Sequence, residues 1–325
     1  MTALLRTIAL IASLAGIGGA GAQEFPGRPI TMIVPFPPGG AVDPVARILA
    51  ERMKVALGQS IVVENVASGG NGILGVGRVA RATPDGTTIG FGNWSTNVVN
   101  GAIYPLPYDL LSDLEPIAEV ATTPQVIVSR KGLPAQTLSE LIAWLKAHPG
   151  EASLGTVGNG SATHIAGLFF QKLTDTHVLL VPYRGAAQAM QDILAGQLDL
   201  MMPQATLALP QARAGTIRAY AVMAKTRLAS APEIPTVDEG GAPGLYLSTW
   251  SGLWAPKGTP PAVIARFEAA AREALADPAV RDHLGQLGQD VPPPDQQTPR
   301  GLGKLQRAEI DKWWPIIKAA GIKGE

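Results

Sequence analysis

Ser161 and His164 stand three residues apart in the run Asn159-Gly160-Ser161-Ala162-Thr163-His164. At a helix start that spacing permits a nucleophile with a neighbouring base, and so an exported hydrolase. The run is not G-x-S-x-G, and both residues have simpler work. Ser161 suits the N-cap of a helix, and His164, one turn in, can hydrogen-bond a ligand or a loop. His148, His164, His177 and His283 are scattered, with no H-E-x-x-H or other close ligand pair, so no metal site is expected. Cysteine is absent, which excludes disulfides, thiolate catalysis, Cys-ligated metals and a lipidated N-terminal cysteine. Asp43 precedes Pro44 and reads first as a helix N-cap, with ligand contact as a second role. Arg184 either clamps a carboxylate bidentately or stays solvated or internally paired.

The chemistry that these residues suit best is holding an anion. Residues 30–36 are an apolar run with β-branched side chains, and Pro37, Pro38, Gly39 and Gly40 make a sharp loop. A helix then starts at Asp43-Pro44 and stops near Gly58. The pattern recurs: residues 153–156 read as a strand, Gly158-Asn159-Gly160 as a glycine loop, and Ser161-Ala162 as the start of a helix through Leu173. A strand feeding a glycine turn into a helix N-terminus leaves backbone N–H groups and the positive end of the dipole free for an anion. Neither loop is a Walker loop or G-x-G-x-x-G, and each can also be a tight connection with no ligand.

The elements that position these loops alternate. Strands are expected at 61–64, 88–92, 125–129, 178–181, 198–202, 218–222 and 253–255, and helices at 73–82, 138–147, 186–194, 207–214, 263–275, 280–287 and 302–317. The third strand runs into Asn93, Trp94, Ser95, Thr96 and Asn97, a dense set of hydrogen-bonding side chains. This order predicts an α/β protein of two lobes, each a mostly parallel sheet flanked by helices. Lobe 1 is expected to comprise residues 23–122 and 248–325, with the three C-terminal helices packed back on it, and lobe 2 residues 123–247. Trp94, Trp250 and Trp254 either line the cleft between lobes or pack in the cores.

Composition narrows the function further. Lysine plus arginine and aspartate plus glutamate are both 26, which argues against nucleic acid as a partner. Residues 1–22 combine Arg6, the apolar run 8–17 and the A-x-A-like ending Ala20-Gly21-Ala22, the pattern of a cleavable signal peptide with Gln23 as the mature start.

A series of segments resembles one family. It comprises Pro35-Phe36-Pro37-Pro38-Gly39-Gly40 with Asp43 and Arg47, Val63-Glu64-Asn65 with Gly69-Gly70, Pro84-Asp85-Gly86, and Tyr108-Asp109. Gly158-Asn159-Gly160-Ser161 with His164, Pro182-Tyr183-Arg184-Gly185, Gly196-Gln197-Leu198-Asp199, Pro235-Thr236-Val237 with Glu239 and Gly241, and Trp250-Ser251-Gly252 complete it. In this order and spacing, the chain resembles the Bug family, the periplasmic solute receptors of tripartite tricarboxylate transporters. The resemblance implies a two-lobe binding protein of type II-like fold, monomeric and without cofactor. Its ligand would be a small mono-, di- or tricarboxylate or an aromatic acid, and its partner the permease subunits of such a transporter. A sensor kinase is the rival partner. It further implies that Pro38, Gly39, Gly40, Val42 and Asp43 face Gly160, Ser161, Ala162 and His164 across a ligand carboxylate, with Thr96, Asn97 and Tyr183 as neighbours. The chain departs from the family at Trp94-Ser95-Thr96-Asn97-Val98, where many relatives carry a histidine, so no relative's substrate is carried over.

Overall fold

A computed structural model describes residues 27–67, 70–319 and 321–323. The expected signal peptide, its cleavage after Ala22 and Gly69 of the second glycine loop lie outside the described residues.

Two five-stranded sheets organise the chain. The first contains β1 (Ile30–Val34), β2 (Ile61–Asn65), β3 (Thr88–Asn93), β4 (Leu114–Pro124) and β10 (Ser248–Pro256), in the order β2-β1-β3-β10-β4. The second contains β5 (Val126–Arg130), β6 (Ser153–Thr156), β7 (Leu179–Pro182), β8 (Leu200–Met201) and β9 (Ile217–Val222), in the order β7-β6-β8-β5-β9. In the first sheet β1 pairs in parallel with β2 and β3, and β10 is antiparallel to both β3 and β4. In the second, β6 pairs in parallel with β7 and β8, and β5 is antiparallel to both β8 and β9. In each sheet four strands therefore run one way and the one in the fourth place is reversed, so that two pairings are parallel and two antiparallel.

The helices cover these sheets as the apolar periodicity requires. In α1 (Asp43–Leu57), Val45, Ala46, Leu49, Ala50, Met53 and Leu57 are buried, and Gly58 ends the helix in the left-handed region at φ 66°. Helix α2 (Ile73–Ala80) follows β2, and the short α3 (Asn100–Ile103) follows β3. Around the second sheet lie α4 (Leu138–Ala147), α5 (Ala162–Thr174), α6 (Ala186–Leu194) and α7 (Ala205–Arg213). The C-terminal helices α8 (Pro261–Ala276), α9 (Pro278–Gln286) and α10 (Pro299–Ala319) return to the first sheet. Arg52 of α1 bonds Asp277 at the α8–α9 junction at 2.7 Å. From α10, the Gln306 amide donates to the carbonyls of Asn97 and Leu110, and the Trp314 indole donates to Val98 O. Trp94, Trp250 and Trp254 are all buried and pack in the core.

Two features depart from the expectations. Strand β4 spans eleven residues that carried no clear alternation, because Ile117, Ala118, Val120 and Ala121 are buried on both faces of the strand. And the polar run after β3 is a wide π-helical turn, Ser95–Val99, that continues into α3.

The chain passes between the sheets at Pro124–Gln125 and again at Leu247–Ser248. These two crossings lie side by side: the Gln125 N–H donates to Leu247 O, Leu247 N–H to Met223 O, and Met223 N–H to Gln125 O.

Candidate ligand-binding site

The loop after β1 is held by a buried carboxylate. Asp43 is 5% exposed and, contrary to the expected capping role, donates nothing to helix stability through a side-chain cap; Val42 takes the cap position with no side-chain bond. The carboxylate turns back instead. It accepts the Gly39 N–H at 3.1 Å, Arg47 Nε at 3.0 Å and Asn65 Nδ2 at 2.9 Å. Asn65 also donates to Phe36 O, so the 36–43 loop is tied to the end of β2. Burial alone would raise the Asp43 pKa, but these three hydrogen bonds more than offset it and hold the group below the usual carboxylate value. Gly39 adopts φ +75°, the left-handed region that suits glycine.

The loop after β6 is built differently. Ser161 is the N-cap of α5 and accepts the His164 N–H at 3.2 Å. Its hydroxyl also bonds Thr163 Oγ1 at 2.9 Å, and Thr163 Oγ1 accepts the Val157 N–H. His164 Nδ1 accepts the Gly160 N–H at 3.0 Å, which in a neutral imidazole puts the proton on Nε2. Neither ring nitrogen is then poised as a base for Ser161. Gly160 sits at φ +73° against Ile103 and Val99, which follow β3, so this loop meets the first sheet's segment directly.

Between these loops lies a cavity of about 340 Å³. Of the residues expected at the ligand, Pro38, Gly40, Val42, Ser161 and Ala162 line it. Gly39, Asp43, Gly160 and His164 are not among the lining residues and brace the two loops by the bonds above. Thr96 and Asn97 are turned inward: Thr96 Oγ1 accepts the Asn93 N–H and donates to Asn97 Oδ1, and both are almost fully buried in the π-helical turn. Their neighbours Asn93 and Ser95 reach the cavity instead. Tyr183, in the turn before α6, donates its hydroxyl to Asp192 of that helix at 2.7 Å, and burial together with that carboxylate pushes its pKa up to about 12.

Sequence reasoning overlooked two of the helix starts in the wall. Gly185, the N-cap of α6, and Gln204, the N-cap of α7, both line the cavity, as do Val42 and Ser161, the N-caps of α1 and α5. Four helix N-termini thus converge on one space. The two overlooked starts lie where the strand-to-helix turns near 182–186 and 202–205 were already legible, but neither has the glycine-rich loop that drew attention to the other two. Arg184 is the one ionisable side chain among the described residues that line the cavity; the polar remainder is neutral amide and hydroxyl. Backbone dipoles and these neutral groups can hold an anion without a buried counter-charge.

Three proteins are similar to this chain along nearly its full length. BugT of Bordetella pertussis is 35% identical over 326 residues, spanning 99% of each chain. The solved structure of the periplasmic binding protein BugD superposes with TM-score 0.87 at 35% identity, covering 93% of this chain and 100% of that one. MatC of Rhodopseudomonas palustris, solved with bound malate, superposes with TM-score 0.84 at 36% identity, covering 90% and 100%. Residues 45–322 match the family model of the tripartite tricarboxylate transporter family receptor, TctC. With that match, and with relatives of this identity along nearly its full length, the chain belongs to the TctC family of tripartite tricarboxylate transporter receptors.

Proposed function

We propose that this protein is a periplasmic receptor that captures a small carboxylate between two lobes and delivers it to the permease subunits of a tripartite tricarboxylate transporter. The observation that carries this reading is the convergence of four helix N-termini from both sheets on one cavity of about 340 Å³. A carboxylate there would accept backbone N–H groups near Gly40, Val42 and Ala162 and the Ser161 hydroxyl, with Pro38 closing one side. Gly39, Asp43, Gly160 and His164 would shape those loops, and Thr96, Asn97 and Tyr183 would act one step further back. The malate bound to MatC supports the same ligand class.

In this reading, lobe 1 is 23–122 with 248–325 and lobe 2 is 123–247. The side-by-side crossings at Gln125 and Leu247 form the hinge, and the mature protein begins near Gln23 after export. The protein acts as a monomer and without catalysis. The held geometry of Ser161 and His164 supports ligand contact for Ser161 and a loop-shaping role for His164.

Calorimetric titration of the mature protein with mono-, di- and tricarboxylates and aromatic acids tests the reading. Saturable binding of at least one class with 1:1 stoichiometry is expected. Silence across all of them would overturn it.

A further inference from the structure

Gln125 is fully buried, and both atoms of its side-chain amide lack a hydrogen-bond partner. Its backbone is used completely at the crossing between sheets, with the N–H on Leu247 O and the carbonyl on Met223 N–H. Gln125 is among the residues that line the cavity, with Pro203 and Gln204. Both Oε1 and Nε2 are unpaired, so turning the amide over leaves it as unsatisfied as before. A buried amide left unpaired on both sides is costly, and few survive in a folded protein. Its neighbour Gln204 is already engaged, donating to Thr249 Oγ1 at 2.6 Å.

An ionised carboxylate offers only acceptors, so it can satisfy Nε2 and leaves Oε1 facing another oxygen. A group with a donor and an acceptor side by side satisfies both atoms at once, as one amide pairs with another.

We propose that Gln125 selects a ligand carrying a carboxamide-like donor–acceptor edge in addition to its carboxylate, so that the preferred ligand is a monoamide or a heteroaromatic acid rather than a symmetric dicarboxylate. This rests on the carboxylate reading above and assigns the second recognition point of the same cavity. The helix N-termini hold the acid group, and Gln125 reads the remainder.

The test compares pairs of equal length by calorimetry: succinate with succinamate, and terephthalate with 4-carbamoylbenzoate. For at least one pair the monoamide is expected to bind about tenfold more tightly. In Gln125→Met, the amide and the acid are expected to bind within about threefold of each other. Ligand-free Gln125→Met is also expected to melt no lower than the wild type, because an unpaired buried amide has been removed. Equal binding within each pair, or tighter binding of the dicarboxylate, overturns the assignment of Gln125 while leaving carboxylate capture intact. A preference that survives Gln125→Met overturns it too. Failure of all four compounds and of the wider acid series overturns the carboxylate reading itself. The comparison within wild-type protein needs no variant, so it decides the matter even if the substitution impairs folding.

Discussion

At the scale of single residues, one hydroxyl and two carboxyl groups carry separable roles. Ser161 Oγ caps α5 through the His164 N–H and faces the cavity. Loss of a serine cap costs roughly 1 kcal/mol, whereas loss of a hydroxyl that touches an anion removes a charge-assisted bond. Ser161→Ala is therefore expected to lower stability by about 1 kcal/mol in urea unfolding and to weaken carboxylate binding by about tenfold in calorimetry. A variant that unfolds early but binds normally would reverse that assignment. Asp43 behaves in the opposite way, since it braces the loop and does not line the cavity. Asp43→Ala leaves the Gly39 N–H and the Arg47 and Asn65 side chains without their acceptor and is expected to cost about 1–3 kcal/mol at pH 7. Because the folded-state pKa of Asp43 lies below its ordinary value of 3.8, its contribution is present above that pH. It is lost as pH falls through the folded value, so unfolding curves of variant and wild type should converge in strong acid.

Glu119 titrates with the other sign. It is 2% exposed on β4, Thr122 Oγ1 donates to its Oε1, and its Oε2 has no partner. Burial, with a smaller push from Glu309, raises its pKa from 4.5 to about 7. The unfolded chain loses this proton near pH 4.5 while the folded chain keeps it. Stability should then decline as pH rises from about 4.5 to about 7 and level off above. Glu119→Gln is expected to remove that slope and to gain on the order of 3 kcal/mol at pH 8, measured by denaturant unfolding at both ends of the window.

At the scale of elements, the strand–loop–helix units are alike in outline and different in tolerance. Gly39 and Gly160 both adopt left-handed φ values, 75° and 73°. A Cβ on Gly39 meets nothing within 4 Å, so Gly39→Ala is expected to cost only backbone strain, about 1 kcal/mol. A Cβ on Gly160 collides with Ile103 and crowds Val99, which belong to the segment after β3. Gly160→Ala should therefore lose clearly more stability than Gly39→Ala, and carboxylate binding with it, because the loop must move away from the cavity. Thermal melts of the two variants side by side check the order. These elements also show how far local pattern reaches. The N-cap serine, the stop at Gly58 and the amphipathic faces of α1 and α5 are set by neighbours within one or two turns, and they stand where periodicity and capping place them. Strand β4 and the π-helical turn were not legible, because what defines them is distant: β4 is specified by pairing with β10, more than a hundred residues later. The turn is held by Gln306 and Trp314 of α10.

At the scale of the whole molecule, two sheets of the same strand order meet over one cavity, and the chain passes between them twice at adjacent, hydrogen-bonded points. Two adjacent crossings of opposite direction permit a hinge rotation of one sheet against the other. If binding closes the lobes, small-angle scattering should record a smaller radius of gyration once a bound carboxylate saturates the protein. An unchanged radius on saturation would remove closure from the mechanism.

By itself, the sequence determined the alternation of strands and helices, the mostly parallel sheets, the two glycine-loop helix starts and the balance of charge. All of these depend on periodicity, capping and composition, which act over short stretches of chain. Only the tertiary structure decided which side chains face the cavity. It turned Asp43, Thr96, Asn97 and Tyr183 toward the protein, added Gly185 and Gln204 as further helix starts, and buried Gln125 with its amide unpaired. The reason is geometric: the direction of each side chain is settled by the partners that the folded loops bring to it, as Asn65 is brought to Asp43 and Asp192 to Tyr183, and neither periodicity nor capping encodes that choice.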